Sequence, residues 1–296
     1  MLDYLSVDAL CLAASQQGVS IGQLVLKDQA EQMNLSPQQL MQLTDARLAV
    51  MEQSAKRGMH REIRSTSGLT GGDAFRMKTR ADSGTSLAGE FCSQAMATAL
   101  AVAECNAAMG KIVASPTAGS CGILPGAVLT MMQLRTVSRE NACLALLGSG
   151  GIGMVIAQQA TISGAEGGCQ AECGAAAAMA AAALVELAGG TPEMAGNAVA
   201  MALKNQLGLV CDPVAGLVEV PCIKRNAGGV MCAITAADMA LAGIRSVIPP
   251  DEVISAMSEI GASMPCALRE TAQGGLAATP TGQALAEKIF GAGTNN

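Results

Sequence analysis

Long apolar stretches alternate in this chain with short strings of glycine and hydroxyl residues, and helix-start signals stand at the borders between them. Ser36-Pro37-Gln38-Gln39 supplies a capping hydroxyl, a proline at the first helical position and a glutamine where a capping box needs one. A helix is predicted from there to about Arg57. Thr191-Pro192-Glu193 repeats the pattern, as does Pro249-Pro250-Asp251-Glu252. After the latter, Val253, Met257 and Ile260 share one helical face, and Gly261 is the expected stop. Thr279-Pro280 and Gly291 bracket a closing helix. Alanine dominates from Gly174 to Ala183, where high helix propensity and small bulk suit the centre of a bundle.

Between these segments lie STSGLTGGDA (65–74), SPTAGSCGILPG (115–126), SGAEGGC (163–169) and CDPVAGLVEVPC (211–222). Loops on a rigid scaffold carry most functional groups, so chemistry is expected in these strings. Strand-favouring runs are scarce. The expected fold is all-α, one large helical domain over residues 1–296, with the first sixty residues open to a semi-independent role as a helical lead-in.

Two uncharged stretches approach the length of a membrane span. Asn141 to Ala165 contains Gly148, Gly150, Gly151, Gly153 and Gln158-Gln159, and Ile112 to Leu134 is interrupted by Pro116 and Pro125. Neither has aromatic anchors or a Lys/Arg asymmetry, so both are expected as buried helices of a soluble protein. Aromatic residues make up 1% of the chain, beside 34 Gly and 18 Met, which favours helices in close approach. A net charge of −6 without a basic stripe argues against nucleic acid and against a peripheral membrane role. Asp3 and Asp8 stand where a secretory signal would carry positive charge, so a cytoplasmic location is expected. In that reducing compartment the eleven cysteines imply packing, metal ligation or catalysis.

Cys169 lies in EGGCQAECG, and Cys211 and Cys222 border CDPVAGLVEVPC. Thiolates are the favoured ligands of iron–sulfur clusters. The spacing is unlike the CxxC runs of ferredoxins, and by themselves Cys211 and Cys222 read equally as a metal pair or as buried packing residues. Ser115, Thr117 and Ser120 precede an apolar run, as a carboxylate site at a helix N-terminus or as a plain cap. Ser65, Ser67, Thr70 and Asp73 repeat that choice more weakly. Gly148-Ser149-Gly150-Gly151-Ile152-Gly153 satisfies GxGxxG but lacks the βαβ unit of a dinucleotide site, so close helix packing is expected there. His60, the sole histidine, sits among charges and reads as solvated near a helix end.

RSTSGLTGGDA, MGKIVASPTAGSCGILPG, GAEGGCQAECG, LGLVCDPVAGLVEVPCIKRNA and LRETAQGGLAATPTG follow one another in the order found in the iron–sulfur L-serine dehydratases. Over nearly its whole length the chain resembles the α chain of the two-chain type. The resemblance implies a [4Fe-4S] cluster on Cys169, Cys211 and Cys222, with one iron open as a Lewis acid. It implies iron-assisted loss of the hydroxyl of L-serine, an aminoacrylate, and release of pyruvate and ammonia. Ser115, Thr117, Ser120 and, more weakly, Ser67 are its candidates for binding substrate, and no base is identified. A separate β chain is the implied partner. Some single-chain relatives end in a cysteine that reaches the cluster, whereas this chain finishes GAGTNN; water, substrate or a foreign ligand is then expected at the fourth iron. Cys173 follows Cys169 by one helical turn and is expected as an ordinary buried thiol. Pyridoxal phosphate is the other route to serine deamination, but Lys111, Lys204 and Lys224 all fall in blocks that the iron–sulfur family explains. Two alternatives remain: a lyase for another β-substituted amino acid such as cysteine, and a non-enzymatic iron–sulfur carrier or sensor.

Overall fold

The structure, a computed structural model, describes residues 4–291, and these residues are all-α. In chain order the helices are α1 (Val7–Gln17), α2 (Ile21–Gln32), α3 (Pro37–Gly58), α4 (Asp73–Asp82), α5 (Gly89–Ala107), α6 (Ile123–Leu134), α7 (Arg139–Gln159), the single turn α8 (Gly164–Gly167), α9 (Ala175–Leu187), α10 (Pro192–Lys204), α11 (Cys222–Leu241), α12 (Pro250–Ser263) and α13 (Pro280–Phe290). The sequence signals act as expected. Ser36 and Gln39 form the capping box of α3, Thr191 caps α10, and Thr279 caps α13.

The alanine run becomes α9, whose residues from Ala175 to Val185 are all buried. Around it stand α6, α7, α10 and α11. Small side chains let these helices approach closely, and burial of apolar surface rather than helix propensity holds the arrangement together. The GxGxxG string lies inside α7 and works as packing. A methyl group on Gly151 would come within 2.6 Å of Val25, and one on Gly153 within 2.8 Å of the Met179 sulfur. Val7 and Leu10 of α1, Leu24 of α2 and Leu48 of α3 join the same core as the alanines of α9 and Met257 of α12. α7 is long and apolar enough to cross a membrane, and 67% of its apolar window is buried against the rest of the chain.

One expected stop is wrong. α12 continues through Gly261 to Ser263, because Gly261 is an interhelical contact: a Cβ there would lie 2.9 Å from the Cα of Gly167. The helix ends where Met264 turns extended before Pro265, as a residue preceding proline must. His60 is exposed just beyond the end of α3, as expected.

Candidate active site

The connectors that bear Cys169, Cys211 and Cys222 meet the start of the central helix. The chain leaves α8 through Gly168 at φ +75°, where a side chain would strike the Met264 sulfur at 2.6 Å. Cys169 follows, and residues Gln170–Gly174 form a π-turn before α9. Such a wide turn inside a helix is frequent at functional sites. It leaves the sulfurs of Cys169 and Cys173 3.3 Å apart.

Two polar side chains, buried Gln170 and partly buried Arg225, tie the cysteine segments together, and buried Asn226 anchors a neighbouring loop to the last of them. Gln170, with no exposed surface, donates from Nε2 to the carbonyl of Met257 at 2.9 Å and accepts from the Gly208 N–H at 2.9 Å. Its own N–H donates to the carbonyl of Leu209, two residues before Cys211. Arg225 of α11 donates to the carbonyl of Val210 and to Oδ1 of Asp212, both at 2.8 Å, so it spans from the Cys222 helix to both neighbours of Cys211. Asn226 donates to the carbonyls of Cys222 at 2.9 Å and Gly119 at 2.8 Å, and accepts from the Gly122 N–H at 2.8 Å. It thereby fixes the 115–122 loop against the start of α11. Cys211 is also stitched to residues 268–270: its N–H donates to Leu268, and its carbonyl accepts from Glu270 at 2.7 Å. The other Asp212 oxygen accepts from the Leu276 N–H.

Electrostatics couples the thiols. A hydrogen bond from Cys173 holds the Cys169 thiol below its ordinary value against the effect of burial, and the adjacent Arg225 guanidinium adds to this. That same hydrogen bond, with burial, pushes Cys173 well up. Burial raises Cys211, and the negative charge of Glu172, Cys169, Glu270 and Cys222 raises it further. Burial likewise lifts Cys222 to about 12, helped by Cys169 and Glu172. Each of the three cysteines singled out in the sequence thus lies in the field of the others.

The hydroxyls singled out in the sequence are placed unequally. Thr117 donates to Oε1 of Glu172 at 2.7 Å and lies 3.1 Å from the hydroxyl of buried Ser120. Ser67 donates to Oε2 of Glu219 at 2.8 Å, as Thr70 does at 3.1 Å, which ties the first glycine loop to the turn before Cys222. Ser115 is buried with no hydrogen-bond partner and borders a cavity between α2, α3 and α7. Asp73 pairs with Lys224 and Arg76, and its N–H is capped by the carboxylate of Glu104.

Sequence reading missed Gln170, Glu172, Asp212, Glu219, Arg225 and Asn226. All six lie within the motif strings or directly beside them, and the available signal was a polar residue set among glycines and apolar neighbours where burial was expected. Among the described residues no three His, Cys, Asp or Glu side chains are close enough to share a single ion.

Thiols, a half-buried carboxyl and hydroxyl-bearing loops thus gather at the start of the central helix of an all-α protein. The sequence profile of the family described as Serine dehydratase alpha chain matches residues 16–277. The chain is 51% identical over 286 residues to the probable L-serine dehydratase, alpha chain, of Bacillus subtilis (strain 168), covering 97% of this chain and 95% of that protein. It is 47% identical to the L-serine dehydratase, alpha chain, of Peptoniphilus asaccharolyticus, covering 92% and 93%. The L-serine dehydratase of Streptomyces coelicolor is 39% identical over 91% of this chain but only 60% of its own length. The chain belongs to the serine dehydratase alpha chain family.

Proposed function

We propose that this chain is the catalytic α chain of an L-serine dehydratase, acting in the cytoplasm with a separate β chain to convert L-serine to pyruvate and ammonia. Cys169, Cys211 and Cys222 are the proposed ligands of a [4Fe-4S] cluster. The observation that carries this reading is the tethering of three sequence-remote cysteine segments to one another by Gln170 and Arg225.

The donor set fits such a group. Its members are soft thiols, all eleven cysteines are free, and a cluster gives each iron its own thiolate, so its ligands need not crowd together as those of one ion do. Bare backbone lines the region: a Cβ on Gly164 would lie 3.2 Å from the Cys211 sulfur, and one on Gly119 3.2 Å from Glu172. When bound, the cluster supplies Lewis acidity that makes hydroxide a tolerable leaving group.

The chain's own residues bind and align the amino acid. Thr117 and Ser120, on the loop that Asn226 fixes, are assigned to the substrate, and Ser115 and Ser67 complete the proposed set. Holding serine so that its α-hydrogen and hydroxyl are aligned for elimination is the protein's contribution to rate.

The test is anaerobic purification of the α–β pair, followed by iron and sulfide analysis and assay of pyruvate from L-serine. Cys169→Ser, Cys211→Ser and Cys222→Ser should each lose iron and activity together, while Cys173→Ser should retain iron. L-cysteine in the same assay separates a lyase of different specificity, and an iron-loaded pair that serine does not perturb would indicate a carrier. Full activity in aerobic, iron-free protein would defeat the proposal.

A further inference from the structure

Glu172 projects from the π-turn between Cys169 and Cys173, toward both Cys211 and the 117–120 loop. We infer that Glu172 recognises the α-ammonium group of the amino-acid substrate. The inference rests on the serine dehydratase reading and names the group by which that site tells an amino acid from a plain hydroxy acid.

Charge balance supports it. Among the described residues Glu172 has no ion-pair partner. The nearby guanidinium, Arg225, is already committed to Asp212 at 2.8 Å, to the carbonyl of Val210 and to the sulfur of Cys169. A second carboxylate residue, Glu270, is stitched to Cys211, its N–H donating to the Cys211 carbonyl at 2.7 Å. Glu172 is therefore left without a cation of its own, and a ligand completes the site by bringing one.

Geometry agrees. Oε1 is fixed by the Thr117 hydroxyl, which orients the carboxylate, while Oε2 points at the Cys211 sulfur 3.9 Å away. Two glycines keep the carboxylate accessible, since a side chain at Gly164 would come within 2.6 Å of Oε2 and one at Gly119 within 3.2 Å of Oε1. Glu172 is only half-buried, as a group meant to meet a ligand must be. A zwitterion fits with its ammonium on Glu172 and its carboxylate toward the hydroxyl loop.

The test uses the anaerobically reconstituted α–β enzyme, with iron content checked, and calorimetric titration of two probes that are not turned over. L-alanine keeps the ammonium and lacks the hydroxyl, and 3-hydroxypropionate keeps the hydroxyl and lacks the ammonium. Glu172→Gln should weaken L-alanine about 30-fold or more, as expected when a charge pair that the ligand itself closes off from water loses one partner, and leave 3-hydroxypropionate nearly unchanged. Glu172→Asp, which keeps the charge but withdraws it by one methylene, should weaken L-alanine several-fold with the same selectivity, and it serves as the deciding variant if Glu172→Gln fails to hold iron. Equal loss of both probes, or loss of neither, overturns the assignment. A wild-type enzyme with full iron that leaves L-serine untouched would instead defeat the serine dehydratase reading itself.

Discussion

Asn226 closes three hydrogen bonds at once, to Gly119, Gly122 and Cys222, with 1% of its surface exposed. Replacing it with alanine strands a buried N–H and two carbonyls. Asn226→Ala should therefore cost about 2–4 kcal/mol in urea unfolding, since unmade buried hydrogen bonds cost their full desolvation. It should also loosen the 115–122 loop, visible as faster amide exchange there. The cysteines and hydroxyl residues of the proposed site stand in glycine-rich strings, but it was the family those strings resemble that singled the cysteines out, since alone they read equally as packing residues. Asn226, Arg225 and Gln170 were not legible, because a polar residue in such a string reads the same whether it is solvated or buried and triply bonded. Glu172 was missed for a related reason: it stands beside Cys173, and nothing in EGGCQAECG tells that a π-turn will aim it at Thr117.

Among the helices, glycines divide into contacts and spare positions. Gly58 ends α3 against the backbone of α5, where an added Cβ would lie 1.7 Å from the Ala101 carbonyl oxygen, whereas Gly150 in α7 meets nothing within 4 Å. Gly58→Ala should destabilise by about 3 kcal/mol or more through overpacking. Gly150→Ala should stabilise by roughly 0.5–1 kcal/mol through reduced chain entropy. Thermal or urea unfolding of the two variants checks the contrast. Glu186, in the last turn of α9, caps α2 from outside by accepting from the Ser20 hydroxyl at 2.7 Å and the Gly22 N–H at 3.1 Å. Burial raises its pKa above the ordinary 4.5, with those hydrogen bonds opposing. The folded chain thus holds this proton more tightly than the unfolded one does. Its contribution is fully present below 4.5 and is lost as pH rises through the folded value. The stability of the wild type relative to Glu186→Gln should accordingly fall as pH rises from about 4.5, measured by denaturant titration at stepped pH. A difference that stays flat would contradict the raised pKa. Helix starts were readable here because capping boxes and N1 prolines are local chemistry. The end of α12 was misplaced because Gly261 answers to Gly167 across the interface and not to its own helix.

For the molecule as a whole, the proposed cluster joins segments far apart in the chain, so its loss should be felt in global stability. Anaerobically reconstituted protein should melt several degrees above the iron-free form, at about 2–4 °C per kcal/mol of coupling, and the triple Cys169→Ser/Cys211→Ser/Cys222→Ser variant should show no such difference. An unchanged melting temperature on loading would mean that the iron does not bridge these segments. The all-α class and the buried alanine helix were determined by the sequence alone. Each follows from local propensity, capping and apolar periodicity, which act over a few residues. Only the tertiary structure decided which polar groups bind the connectors to one another, that Thr117 faces Glu172 and Ser67 faces Glu219, and that Arg225 is spent on Asp212. Those pairings join residues 13 to 152 positions apart, and a hydrogen bond at such separation exists only once packing has brought its two ends together.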